Sequence, residues 1–191
     1  MKETSSQPEL NWLQRLQHSD EDALALLMGK YYTDLYNYAC SFTKDEDLVK
    51  DCIQEVFISL WQRRENAVAI LSPKYYLLRA VKNKILKSAH RNGLFTETVF
   101  LEKEYDFFHE FSIERITIEK QLSEEKATRL KRIISGLSKR QQEIIYLKYY
   151  QRLGHGQIAE LMNIGTQSVY NLLHETIQKL KLVWHSEFIS R

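Results

Sequence analysis

The chain has 191 residues, 43% of them hydrophobic and 27% charged, with a formal net charge of +2. That balance excludes global disorder and suits one domain or two small ones. The polar start MKETSSQPEL argues against a secretory leader or a membrane span, and two cysteines, Cys40 and Cys52, cannot build a disulfide framework, so a cytoplasmic protein with no direct membrane insertion is expected.

The small net charge hides a partition. Residues 1–78 carry a net −4, residues 79–92 a net +5 without a single acid, residues 93–125 a net −6 and residues 126–191 a net +7. Two basic blocks separated by an acidic one suggest two contact sites for anions on one chain, with an unevenly charged solvated surface as the alternative.

Along the chain nearly every periodic segment reads as helix. Apolar residues recur at Leu24, Leu27, Met28, Tyr31, Leu35, Tyr38 and Phe42, and again at Leu48, Cys52, Ile53, Val56, Phe57, Leu60 and Trp61. This is the three-and-four spacing of a buried helical stripe. Ser72-Pro73 predicts a helix start, since Ser caps an orphan amide and Pro tolerates the first turn, and the helix is expected to stop near Gly93. Residues 93–122 mix acids with Phe100, Tyr105, Phe107, Phe108 and Phe111, and read as a linker with one helix beginning near Ser112. The aromatics predict that part of this linker docks on a domain. Helical spacing resumes up to Gly136, and Ser138 with Gln141 predicts a capping box. The helix started by that box is expected to carry Ile144, Ile145, Leu147 and Tyr149 inward.

Residues 157–180, QIAELMNIGTQSVYNLLHETIQKL, place a short helix, a tight turn at Asn163-Ile164-Gly165 that Gly165 helps to reverse, and a longer helix with Val169, Leu173, Ile177 and Leu180 inward. Small Ala159 allows a close crossing. This is the helix-turn-helix pattern, whose second helix enters the major groove, though an ordinary helical hairpin has the same outline. The second helix has no Lys or Arg before Lys179 and includes Glu175. Gln167, Tyr170, Asn171 and His174 share one face of it, with Ser168 near its start. These groups donate and accept at base edges. The cations for phosphate then come from elsewhere: Lys139, Arg140, Lys148 and Arg152, together with Lys179.

Leu137, Ser138, Arg140, Glu143, Ile144-Ile145, Ile158-Ala159-Glu160, Ile164 and Ser168-Val169 resemble region 4 of the extracytoplasmic-function sigma factors of bacterial RNA polymerase. A second motif resembles region 2 of the same family: Asp51, Gln54, Glu55, Phe57, Leu60 and Trp61 in DLVKDCIQEVFISLWQRR. Asp51, Gln54, Glu55 and Ile58 stand at helical neighbours and share a face. The resemblance implies that this face docks on the clamp helices of the polymerase's largest subunit. It also implies that the block after Ser72 opens and holds the −10 promoter element, using Tyr76, Arg79, Lys82, Asn83, Lys87 and Arg91. Tyr76 stands where the family usually has Trp, Lys87 where it has Asp, and Leu172 and Glu175 where it often has Arg. The last departure predicts weak binding to isolated duplex.

The expected architecture is thus all-α, with two helical domains: an N-terminal extension over 1–21, region 2 as a bundle of three or four helices over 22–92, an acidic linker over 93–122, and region 4 over 123–191. The resemblance implies core RNA polymerase and promoter DNA as partners, an anti-sigma factor being a further partner of many members. No cofactor, metal or enzymatic activity is expected: Cys40, Cys52 and His90 match no structural zinc spacing, and both thiols fall on apolar helical faces. A free-standing helix-turn-helix regulator and a protein-only helical adaptor remain the competing readings, and the Asp51/Gln54/Glu55 face separates a polymerase-binding factor from the free-standing regulator.

Overall fold

The computed structural model describes residues 7–91 and 124–189, and the chain divides into two compact units, Met1–Tyr105 and Asp106–Arg191. Among the described residues every regular element is helical.

The first unit begins with a helix that the polar N-terminal sequence did not announce, α1 (Gln7–Gln17). Leu13 and Leu16 of α1 are fully buried, and its contacts are with the next helix, α2 (Glu21–Cys40), and with a 3-10 turn at Arg64–Ala69. Burying two leucines contributes about 2 kcal/mol each, enough to hold a helix of three turns that would be marginal alone. Polar groups fix its register. Tyr31 Oη donates to Glu9 Oε1 at 2.6 Å, and Lys30 pairs with the same oxygen. Burial first, and the Glu9 carboxylate second, push the Tyr31 hydroxyl above its ordinary range.

Ser19, at φ 62°, turns the chain between α1 and α2. Asp20 caps α2 by accepting from the Ala23 amide at 3.2 Å and receives Arg15 Nε at 2.8 Å, which holds its carboxyl below the usual range. Asp45 caps α3 (Glu46–Gln62) in the same way, through the Leu48 amide at 3.0 Å. Pro73 opens α4 (Pro73–Arg91), and Ser72 Oγ accepts from the Tyr75 amide at 3.4 Å, as the sequence predicts. Leu27, Tyr31, Leu35 and Tyr38 of α2 meet Ile53, Val56, Phe57 and Leu60 of α3 and Leu77, Leu78, Val81 and Ile85 of α4 in one core. Cys52 lies in it, its thiol pushed up by burial. Cys40 is only half-buried, at the last turn of α2, so the expectation of two core thiols holds for one.

The second unit contains α5 (Glu124–Ser135), α6 (Lys139–Ile145), a wide turn of π-helix at Tyr146–Tyr150, α7 (His155–Met162) and α8 (Thr166–Ile189). The Ser138–Gln141 capping box is formed in both directions. Buried Gln142 donates to the carbonyls of Ile134, Ser135 and Leu137 and so closes the end of α5.

The π turn corrects one expectation. An extra residue in the turn rotates the later side chains about the helix axis, so Tyr146 is fully buried while Tyr149 is 52% exposed. Tyr146 Oη accepts from buried Gln151 Nε2 at 2.7 Å. A second correction concerns the chain reversal between α7 and α8. Gly165 has no positive φ; the left-handed residue is Asn163 at φ 52°, a conformation Asn tolerates better than other side chains. Along α8, Val169 and Leu173 are buried as expected, but Thr176 takes the next core position, with Ile177 and Leu180 half-buried. Its hydroxyl is satisfied by the Leu172 carbonyl at 2.6 Å.

Candidate nucleic-acid interface

Helix α3 divides its residues sharply. Cys52, Ile53, Val56, Phe57 and Leu60 face the core, and Asp51, Gln54, Glu55 and Ile58 all stand exposed on the opposite side. Ile58 is 46% exposed, an apolar side chain beside three polar ones. The face thus offers three polar side chains and one apolar one to a partner.

Along α4, Tyr76, Arg79, Asn83 and Lys87 recur at steps of three, four and four and so lie on one stripe. Arg79, Asn83 and Lys87 are exposed and Tyr76 is half-buried. Leu77 and Leu78 are core. The cations of this block are not equivalent. Lys82 is half-buried with its ammonium 5.1 Å from the centre of the Phe42 ring. Lys84 Nζ pairs with Glu55 Oε2 at 2.5 Å, tying the basic helix to the α3 face. Arg79 Nη1 donates to Tyr75 Oη at 3.2 Å, which steers the guanidinium along the helix. Arg91 is the last residue of α4, and its side chain lies outside the described residues.

In the second unit Gln167, Ser168, Tyr170, Asn171 and His174 are all exposed on the first turns of α8. Two contacts order them. Gln167 Nε2 donates to Asn171 Oδ1 at 3.2 Å, and the Tyr170 ring packs on His155, the first residue of α7, with centroids 4.2 Å apart. Burial, and then the charge of Lys148, hold the His155 imidazole below its ordinary pKa. The phosphate candidates surround this surface in sequence but differ in exposure: Arg140 and Arg152 are exposed, Lys139 and Lys148 half-buried. Arg152 sits at φ 57°, where the chain leaves the π turn, and Lys179 Nζ reaches the Gly136 carbonyl at 3.5 Å.

Sequence reasoning reached the exposed residues of both helices and missed the pairings among them. Helical periodicity foretells that Gln167 and Asn171 are neighbours. Nothing local foretells that His155 meets Tyr170 or that Lys84 meets Glu55, since each contact joins different helices. The aromatic-rich linker and its predicted docking fall outside the described residues.

Comparison with known proteins gives these surfaces a context. The family model for Sigma-70 region 2 matches residues 27–94, and that for Sigma-70, region 4 matches residues 127–180. The solved structure of CnrH in complex with the cytosolic domain of CnrY is similar in fold, with a TM-score of 0.53 and 16% identity over 94% of this chain and 98% of that one. A chain of the RsbN-BldN complex also matches, at 16% identity and a TM-score of 0.37 over 90% of this chain and 98% of that one. The search of curated proteins finds no match. The chain belongs to the sigma-70 family, with region 2 followed by region 4.

Proposed function

We propose that the chain binds core RNA polymerase and directs initiation to specific promoters, the chemistry of transcription belonging to the polymerase. The observation that carries this reading is the exposed Asp51, Gln54, Glu55 and Ile58 face on a helix whose other side is core. A regulator that bound duplex alone would have no use for it. In the reading, region 2 extends over residues 22–92 and region 4 over residues 123–191, with the acidic segment 93–122 as the linker between them.

The stripe Tyr76, Arg79, Asn83 and Lys87 engages the −10 element. Cations hold phosphates there, and the ring and the amide offer stacking and edge bonds to an unstacked base. Lys82 and Arg91 add charge to the same contact. The α8 residues Gln167, Ser168, Tyr170, Asn171 and His174 read base edges of the −35 element. Lys139, Arg140, Lys148 and Arg152 meet its phosphates. With few cations on α8 itself, region 4 depends on the polymerase to hold it at the promoter. CnrH is solved with the cytosolic domain of CnrY; an anti-sigma partner competing for the polymerase-binding surface is part of the reading for this chain too.

The test is reconstitution: purified chain added to core polymerase on candidate promoters, with open complexes detected by footprinting. Strand opening that requires the chain supports the proposal. Tight specific duplex binding without polymerase, and no opening with it, would favour a free-standing regulator.

A further inference from the structure

A side-chain amide is a divided group, its oxygen accepting and its nitrogen donating. Two stand one turn apart on α8, both exposed, and Gln167 Nε2 donates to Asn171 Oδ1 at 3.2 Å. That bond uses one amide hydrogen of Gln167 and one acceptor site of Asn171. The Gln167 Oε1 and one Nε2 hydrogen, and the Asn171 Nδ2 hydrogens and one Oδ1 lone pair, remain for a ligand, with the Gln167 acceptor and the Asn171 donor standing side by side. In the major groove adenine presents an acceptor at N7 beside a donor at N6, guanine presents two acceptors, cytosine a donor, and thymine an acceptor beside a methyl group.

We infer that Gln167 and Asn171 act as one mated amide pair that reads a single adenine, Asn171 Nδ2 donating to N7 and Gln167 Oε1 accepting from N6. The inference rests on α8 being the DNA-reading helix, and it deepens that reading by naming the base. Two amides acting separately would each bind an adenine in bidentate fashion and specify two positions. The bond holds the two amides side by side, so that together they meet one base. Guanine at that position would place its O6 against the Gln167 oxygen, two acceptors with no hydrogen between them. Holding each amide by the other also lowers the conformational freedom lost on binding, so the pair is ordered before DNA arrives.

The experiment has two arms, each with the full chain and its Gln167→Ala, Asn171→Ala and doubly substituted forms. In the first, the chain alone is enriched against a pool of duplexes carrying a randomised stretch. In the second, the chain with core polymerase is enriched on, and transcribes from, a promoter pool randomised upstream. The expected result is one position at which adenine is preferred to guanine by about tenfold. Either single substitution removes that preference and the double removes no more, the non-additivity of groups that act as a unit. Circular dichroism spectra are unchanged, because both side chains are on the surface. Loss of preference at two different positions, additive losses, or a preference untouched by either substitution would overturn the pair. So would the absence of any selected base in both arms. The same single-position, non-additive pattern in the first arm without transcription in the second upholds the pair and sinks the polymerase assignment. Transcription with an adenine preference indifferent to both residues does the reverse.

Discussion

Lys84 on α4 and Glu55 on α3 form an ion pair, Nζ to Oε2, at 2.5 Å. It joins the basic helix assigned to promoter DNA with the acidic face assigned to the polymerase. Their side chains are 35% and 57% exposed, so water screens the pair and its contribution to folding is under about 1 kcal/mol. Glu55→Gln is therefore expected to shift Tm by less than about 8 °C, while lowering core-polymerase affinity in a fluorescence titration. Asp51→Ala combined with Gln54→Ala is expected to weaken the same affinity with the fold intact. Unchanged affinity in both variants would remove this face from the docking surface.

The buried Tyr146–Gln151 bond makes a stability prediction for the helix-turn-helix unit. Tyr146→Phe leaves the Gln151 amide, wholly inside the protein, without its acceptor. Stranding a buried donor costs about 1–3 kcal/mol. Urea denaturation monitored by circular dichroism should show that loss, and an unshifted midpoint would mean that another group accepts the hydrogen.

Asn163 at φ 52° makes a prediction with opposite signs for two substitutions. Asn163→Ala meets the left-handed penalty of roughly 1 kcal/mol, and Asn163→Gly is neutral or slightly stabilising. Equal Tm for the two variants would show that the turn between α7 and α8 readily takes another conformation.

Burial first, and Lys148 second, depress the His155 pKa below the ordinary 6.5. A group whose folded pKa is depressed contributes stability that is present above its unfolded pKa and lost as pH falls through the folded one. Acidification below about pH 6.5 should thus weaken the unit that carries the His155–Tyr170 contact, and His155→Gln should flatten that part of the pH–stability curve. An NMR titration of the His155 ring with a midpoint at or above 6.5 would contradict the assignment.

Much of this molecule was legible in its sequence because helical periodicity reports directly on which side of a helix meets the core. The inward residues of α3, the Ser72-Pro73 start of α4 and the capping box at Ser138 all derive from spacing or from the donors a helix end leaves open. The features that escaped have equally physical reasons. Helix α1 is stabilised by Leu13, Leu16 and a buried Glu9 bonded to Tyr31, tertiary terms that no local propensity contains. Tyr149, expected inward, is exposed because it lies inside one wide turn that shifts a 3.6-residue count. The reversal before α8 falls at the expected Asn163-Ile164-Gly165 turn, but its left-handed residue is Asn163 and not Gly165, the residue with the freest backbone. At the candidate interface, side-chain identity and exposure came from the sequence, and the pairings Lys84–Glu55 and His155–Tyr170 required the fold.

Run-off transcription decides whether this chain confers promoter-dependent initiation on RNA polymerase. Core polymerase with the purified chain is expected to yield a discrete transcript from its promoter, and core polymerase alone none. The Asp51→Ala, Gln54→Ala form is expected to lose that product unless supplied in excess. A chain that binds core polymerase and promoter fragments yet yields no discrete transcript from any promoter would contradict the account.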